Sequence, residues 1–331
     1  MIKKEAKLSS KLFKKDMEQV PTRNGYGEGM VIAGEKDENV VVLCADLTDS
    51  TRSSYFKEKF PKRFVEIGVA EQLLATVAAG MATYGKIPFI SSYATFSPGR
   101  NWEQIKTTAA LNDVPVKIGG AHAGISVGPD GATHQMLEDI ALMRVIPNMI
   151  VVAPGDTIET KKAVIEAARN GKPTYIRFAR EKTPVFTTQN SSFKIGKAEV
   201  LWETNDPQVA IIACGPLVYE ALLAAKKLAA SKINSLVINS HTIKPIDRGE
   251  ITKAAKLAGA VVTVEEHQVT GGLGGAVSEV LSQNFPVPME FIGMPDSFGE
   301  SGEPDELLEK YGMKAEDIIS AAKAVIKRKT S

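Results

Sequence analysis

Short, continuously apolar runs alternate with helical patterns along almost the whole chain, and that rhythm limits the fold more than any single residue does. VVVLC (centred on 41–44), RFVEI (63–67), PFISS (88–92), VPVKIGG (114–120) and MIVVAP (149–154) read as strands. Most lack the polar alternation of a half-exposed sheet, as expected when helices cover both faces of a parallel one. AEQLLATVAAGMATYG (70–85) and GDTIETKKAVIEAARNG (155–171) read as helices, the second with Asp156 at its start and Gly171 at its end. EKTPVFTTQNSSFKIG (181–196) breaks the rhythm near residue 190, and a second alternation follows. The pattern predicts an α/β protein of two domains, each a mostly parallel sheet flanked by helices. We place the first over 21–185 and the second over 186–331, with residues 1–20 as an arm on the surface or on a partner.

Composition narrows the function class. The 331 residues suffice for two cored domains, and 44% hydrophobic with 24% charged residues reads as soluble and globular. A net charge of +1 gives no field that would favour nucleic acid or an anionic membrane. No apolar run is long enough to span a bilayer, and the basic N-terminus has no signal-peptide core. Cys44 and Cys214 each end an apolar run, as buried thiols in a reducing compartment would. The expectation is a cytoplasmic protein.

Four groups of residues carry chemistry. His122, Asp130 and His134 lie in AHAGISVGPDGATHQ, a glycine-rich loop that brings backbone, imidazoles and a carboxylate to a polar, multi-hydroxyl ligand. The alternatives are a surface turn with two unrelated histidines, or a zinc site, against which the loop spacing argues. Glu71 opens an otherwise apolar helix directly after a strand. It either gains from the helix dipole alone or serves as an acid that shares a proton with a ligand nitrogen. Tyr93 and Phe96 follow strand PFISS, where aromatics could stack on a planar ring. Arg23, Arg177 and Arg180 lie beside strand or helix ends, and their guanidinium forks suit phosphate. GGLGG (271–275) fails the dinucleotide spacing, because Val277 stands where the third glycine belongs. It reads as a tight strand-to-helix turn.

The pieces PTRNGYGE, CADLTDS, EIGVAEQ, PFISSYATF, HAGISVGPDGATHQMLEDIALMR, IPNMIVVAPGD and YIRFARE, in this order, resemble the pyrimidine-binding domain of the transketolase family. The second domain resembles that family's C-terminal domain. The family's diphosphate-binding motif, GDG with a downstream Asn, is absent from the sequence. The resemblance is therefore to the C-terminal subunit of a split transketolase, active only with an N-terminal partner subunit in a heterotetramer.

Several roles follow from that resemblance. The cofactor would be thiamine diphosphate, with Glu71 on a ring nitrogen of its aminopyrimidine and Phe96 and Tyr93 flanking the ring. The divalent metal, Mg or Ca, would be held mainly by the partner, with no metal ligands here. Asp130 and His134 would hold sugar hydroxyls, with His134 also catalytic. Arg23, Ser50, His122 and Arg180 would grip the terminal phosphate of sugar-phosphate substrates. The activity implied is transfer of a two-carbon ketol unit from ketose to aldose phosphate, in the pentose phosphate pathway of carbohydrate metabolism. Ala70 and Gln72 around Glu71 resemble instead 1-deoxyxylulose-5-phosphate synthase and 2-oxo acid dehydrogenase beta subunits, which leaves 2-oxo acids as alternative substrates. A non-catalytic regulator on the same fold is the third possibility, against which intact Glu71, Asp130 and His134 argue. The wall beyond Phe96, at Gly99, Arg100 and Trp102, stays open, and His241 and His267 read as structural or interface residues.

Overall fold

The computed structural model describes residues 1–329, so the last two residues of the expected second domain lie outside the described residues. The first half runs β1 (Gln19–Pro21), α1 (Thr22–Lys36), β2 (Val40–Cys44), α2 (Ser54–Lys59), β3 (Phe64–Glu66), α3 (Glu71–Thr83) and β4 (Ile87–Tyr93). It continues through α4 (Trp102–Gln104), β5 (Lys117–Ala121), α5 (Asp139–Arg144), β6 (Ile150–Val152), α6 (Thr157–Ala167), β7 (Thr174–Phe178) and β8 (Lys182–Pro184). The second half runs β9 (Glu199–Glu203), β10 (Val209–Ala213), α7 (Val218–Ala230), β11 (Ser235–Asn239), β12 (Thr242–Lys244) and α8 (Arg248–Ala258). It ends with β13 (Val261–Gln268), α9 (Leu273–Asn284), β14 (Met289–Met294), α10 (Pro304–Lys310) and α11 (Ala315–Lys327).

Two mixed sheets with a parallel majority result, as the apolar rhythm predicts. The first has order β12-β6-β7-β5-β4-β2-β3 and the second β14-β13-β10-β11-β9. Within these two sheets, among the described residues, only β12 and β9 run antiparallel to their neighbours, each at a sheet edge, while β1 and β8 form a separate antiparallel pair. Residues of β2, β5 and β7 are buried throughout, which explains the unbroken apolar run of β2, whereas β5 and β7 also bury Lys117 and Arg177. Asp156 caps α6 as its position predicts, its carboxylate accepting from the Glu159 amide.

Two features depart from the expected division. β12 belongs to the second half of the chain yet pairs with β6, so the second half completes the edge of the first sheet. The N-terminal arm lies on this chain's own second sheet. Ile2 bridges Trp202, and Ala6, Leu12 and Met17 are buried in the cluster that includes Leu201 and Trp202. The apolar residues at positions 6, 12 and 17 explain the docking, since each removes hydrocarbon from water. GGLGG is a strand-to-helix turn, with the Glu265 carboxylate accepting from the Leu273 and Gly274 amides at 2.6 and 2.8 Å. Cys44 and Cys214 are buried free thiols.

α1 and α6 pack so closely that glycine is required on α1. A Cβ at Gly25 would stand 1.9 Å from the Thr157 carbonyl oxygen, which belongs to the backbone and cannot rotate away. Gly25→Ala should therefore push the two helices apart, destabilising the chain by about 1–3 kcal/mol. The check is thermal denaturation followed by circular dichroism, and an unchanged midpoint would contradict the close approach.

Candidate active site

Every expected site residue lies at or near the carboxyl end of the first sheet, where open α/β sheets bind ligands. The turn after β2 supplies Ser50, and the turn after β3 leads into Glu71 at the first position of α3. β4 ends in Tyr93 and leads to Phe96; β5 ends at Ala121, immediately before His122. Arg180 follows β7, and Arg23 sits in the first turn of α1. The α1 start is tied to the β7 end, since the Thr22 hydroxyl donates to the Ala179 carbonyl at 3.2 Å and accepts from the Ala179 amide at 2.7 Å.

At one end of the site is a buried acid. Glu71 is 1% exposed. Its Oε2 accepts from Arg100 Nη1 at 2.7 Å, and the Arg100 guanidinium carbon lies 4.8 Å from the centre of the Phe96 ring. Asn101 Nδ2 donates to the Glu71 carbonyl at 2.9 Å and to Ser97 Oγ at 3.2 Å, fixing this turn to the start of α3. The dry surroundings expected of α3 are present, with Leu74, Ala75 and Ala78 buried behind the carboxylate.

From that acid a row of rings leads to the opposite end. Phe96 stacks with Tyr93 at 6.1 Å between centres, and Tyr93 stacks with His122 at 4.0 Å. His134 stands edge-on to Phe96 at 5.5 Å, with its Nδ1 2.9 Å from the Thr133 hydroxyl. His122 has φ 54, a left-handed backbone that costs energy in a residue with a side chain and often marks a functional position.

The far end gathers cations. Arg23 Nη1 donates to the Ser50 carbonyl at 3.2 Å and lies 3.4 Å from His122 Nε2. Ser50 thus meets Arg23 through its backbone. Arg180 Nη1 donates to the Val127 carbonyl at 2.9 Å and to Asp130 Oδ1 at 3.3 Å. Burial, with the positive charges of Arg23, Arg180 and Arg52 nearby, pushes the His122 imidazole down to about 3, so it is neutral near pH 7. Desolvation and the neighbouring Arg52 and Arg180 also lower the Arg23 pKa. Arg23 Nε and His122 Nδ1 are buried polar atoms with no hydrogen-bond partner among the described residues. Clustered like charges and unsatisfied polar atoms suit a polyvalent anion.

The loop bearing three of these residues is held from the second domain. The Ser126 amide donates to Glu266 Oε1 at 2.6 Å, and a Cβ at Gly124 would meet that same oxygen at 2.3 Å. The Gln135 amide donates to the carbonyls of Ile125, Gly128 and Glu300 at 3.2, 3.2 and 2.8 Å.

Arg177 is not part of the anion end. It is buried, with Nε 2.9 Å from Asp139 Oδ2, and it donates to the Glu266 carbonyl at 2.6 Å. His241 stacks on Phe193 at 4.2 Å, and His267 Nδ1 lies 2.7 Å from the Gln268 carbonyl; both are buried away from the ring row. Arg100 and Arg52 are the additions. Arg52 follows Ser50 by two residues, a proximity that could have marked it. Among the described residues no cluster of three or more His, Cys, Asp or Glu could hold a metal ion, and no helix is long and apolar enough to cross a membrane.

The model of the transketolase pyrimidine binding domain matches residues 18–185, and that of the transketolase C-terminal domain matches residues 196–318. The chain belongs to the transketolase family. It is 47% identical over 299 residues to a Methanocaldococcus jannaschii protein named as a transketolase C-terminal section, covering 89% of this chain and 93% of that one. It is 39% identical over 317 residues to the 6-deoxy-6-sulfo-D-fructose transketolase subunit SqwH of Clostridium sp. (strain MSTE9), covering 96% and 98%. A solved structure described as a split gene transketolase, inactive beta4 tetramer, is 44% identical with a TM-score of 0.87, covering 94% of this chain and 99% of that one. Transketolases depend on thiamine diphosphate, and the buried Glu71 beside a ring face fits its aminopyrimidine.

An unfolded histidine takes up a proton near its ordinary value of 6.5, whereas folded His122 does so only near 3. Between those values the unfolded chain binds more protons, so stability should fall as pH drops through this window, by up to about 1.4 kcal/mol per pH unit. His122→Asn should flatten part of that slope, leaving the share due to His241, also lowered to about 3 by burial. Urea unfolding at pH 4, 5 and 7 measures it; equal slopes in variant and wild type would refute the assignment.

Proposed function

We propose that this chain is the C-terminal subunit of a split transketolase, transferring a two-carbon ketol unit between sugar phosphates when joined to an N-terminal partner subunit. The observation that carries the reading is one row of side chains with a buried carboxylate at one end and converging arginines at the other. Bound between the subunits, thiamine diphosphate would supply the carbon nucleophile that accepts and releases the two-carbon unit. Glu71 holds a proton against the ring nitrogen of its pyrimidine, in a pocket kept dry by α3. Phe96 and Tyr93 would flank that ring. His134 and Asp130 orient sugar hydroxyls, with His134 also serving in proton transfer. Arg23, Arg180, His122 and the Ser50 turn anchor the distal phosphate. His122 acts there as a neutral donor whose proton affinity rises once a dianion arrives.

The diphosphate and its divalent metal belong to the partner in this reading, and self-association of the pyrimidine domains gives a heterotetramer. A cytoplasmic place in the pentose phosphate pathway follows from sugar-phosphate substrates. The similarity to a sulfofructose transketolase subunit makes the occupant of the arginine end the point of substrate choice. The second reading, decarboxylation of a 2-oxo acid such as pyruvate, draws on Ala70 and Gln72 beside the acid.

The test is reconstitution with the N-terminal subunit and assay with xylulose 5-phosphate plus ribose 5-phosphate, against pyruvate plus an acceptor. Turnover of the sugar pair supports transketolase, and turnover of pyruvate alone would replace it with the second reading. Glu71→Gln should lower turnover by about 100- to 10,000-fold, the usual worth of a positioned acid. Arg23→Ala should raise KM for a phosphorylated donor by about 10- to 100-fold, from the loss of a charged hydrogen bond. It should leave an unphosphorylated donor almost unaffected; equal effects on both would remove Arg23 from the phosphate grip.

A further inference from the structure

We infer that Arg100 is an internal occupant of the aminopyrimidine position, holding Glu71 until the cofactor displaces it. The inference rests on the assignment of Glu71 and Phe96 to the cofactor. A guanidinium is planar and carries N–H donors, so it can lie against an aromatic face while it donates to a carboxylate. Arg100 makes both contacts the ring needs. Its guanidinium carbon lies 4.8 Å from the centre of the Phe96 ring, and Nη1 meets Glu71 Oε2 at 2.7 Å. Arg100 thereby takes one oxygen of Glu71 and the Phe96 face on which a pyrimidine would lie.

The burial of the two partners is unequal, and this determines which one moves. The Glu71 side chain is 2% exposed and fixed in α3, whereas the Arg100 side chain is 45% exposed and can turn into solvent. The main chain need not follow, because Asn101 ties the turn to the Glu71 carbonyl and to Ser97 independently of the arginine side chain. Cofactor entry is then an exchange of partners at Glu71. Without Arg100 the empty chain would carry a buried, uncompensated carboxylate, a costly arrangement. With it, the lone subunit is satisfied and its affinity for the ring is reduced. No bond is made or broken in this step.

Thiamine itself, which has the aminopyrimidine but no diphosphate, tests the exchange on the isolated chain by calorimetry. Arg100→Met, which keeps the side-chain length without donors or charge, should bind thiamine about 3- to 30-fold more tightly than wild type, the combined worth of a half-exposed ion pair and a ring contact. Arg100→Lys, which keeps the charge but has no planar face, should fall between them. Binding of inorganic phosphate at the Arg23 end should be unchanged in both variants, which a general loosening of the fold would not leave intact. Equal or weaker thiamine binding by Arg100→Met overturns the inference, as does absence of saturable binding in both wild type and variant. Phe96→Ala separates the two levels. If it weakens thiamine binding while Arg100→Met has no effect, only the exchange fails. If thiamine binds and neither Phe96→Ala nor Glu71→Gln changes its affinity, the cofactor assignment itself fails.

Discussion

A buried arginine joins the two halves of this chain, and the geometry of the site depends on it. Arg177 on β7 is 5% exposed at its side chain and shares Asp139 Oδ2 with the Tyr175 hydroxyl, at 2.9 and 2.7 Å. Its other arm reaches across the domain boundary to the Glu266 carbonyl. Opposite charges out of water are costly to separate, because the survivor is left buried and unpaired at about 3–5 kcal/mol. Glu266 then uses its carboxylate in the other direction, on the Ser126 amide at the start of the glycine-rich loop. The second domain, which supplies none of the expected site residues, thereby fixes the loop carrying His122, Asp130 and His134. Glycine at 124 is needed because the Glu266 carboxylate fills the space a side chain would take.

The site has an electrical direction. Glu71 is buried at one end, and Arg23, Arg52 and Arg180 crowd His122 at the other. Rings fill the interval, and they neither neutralise the ends nor invite water between them. A weakly basic heterocycle at the acid and a separate phosphorylated sugar at the arginines would satisfy the two ends, whereas a neutral sugar would leave the arginines unmatched. The same arrangement explains why His122 is neutral. Three guanidinium groups already occupy the surrounding space, so a fourth positive charge there is disfavoured until an anion enters.

The parallel strands and the start of α6 were legible because they depend on local pattern, whereas α6 ends at Ala167, before the expected Gly171. Continuous apolar runs mark strands covered on both faces, and Asp156 marks the start of α6. Three features left no such trace. Thr22–Lys36 carries glycines at 25, 27 and 29, residues that disfavour a helix interior; the structure uses them as small residues where α1 meets α6 and neighbouring side chains. β12 is three residues long and joins a sheet built from the other half of the chain, a pairing that depends on the docking of the domains. Arg177 and Arg180 stand three apart and are chemically identical in sequence. Only the depth of β7 separates the one that pairs with Asp139 from the one at the loop. Arg100 was visible as part of an open wall, but its donation to Glu71 depends on how the turn after β4 folds back on α3.

The outer face of α3 links the acid to the surface beside it. Val69, Leu73 and Tyr84 are 70%, 51% and 91% exposed, on the turn before α3, within it and just after it. Val69 and Leu73 both expose apolar surface close to the start of α3. The buried residues of the same helix face the sheet behind Glu71. A subunit seated on the outer face would remove apolar surface from water within one turn of the carboxylate. It would also lower the local dielectric around the ion pair, whose Arg100 side chain is half-exposed. Assembly and proton chemistry would then share one helix, with the same packing that joins two polypeptides closing the acid to water.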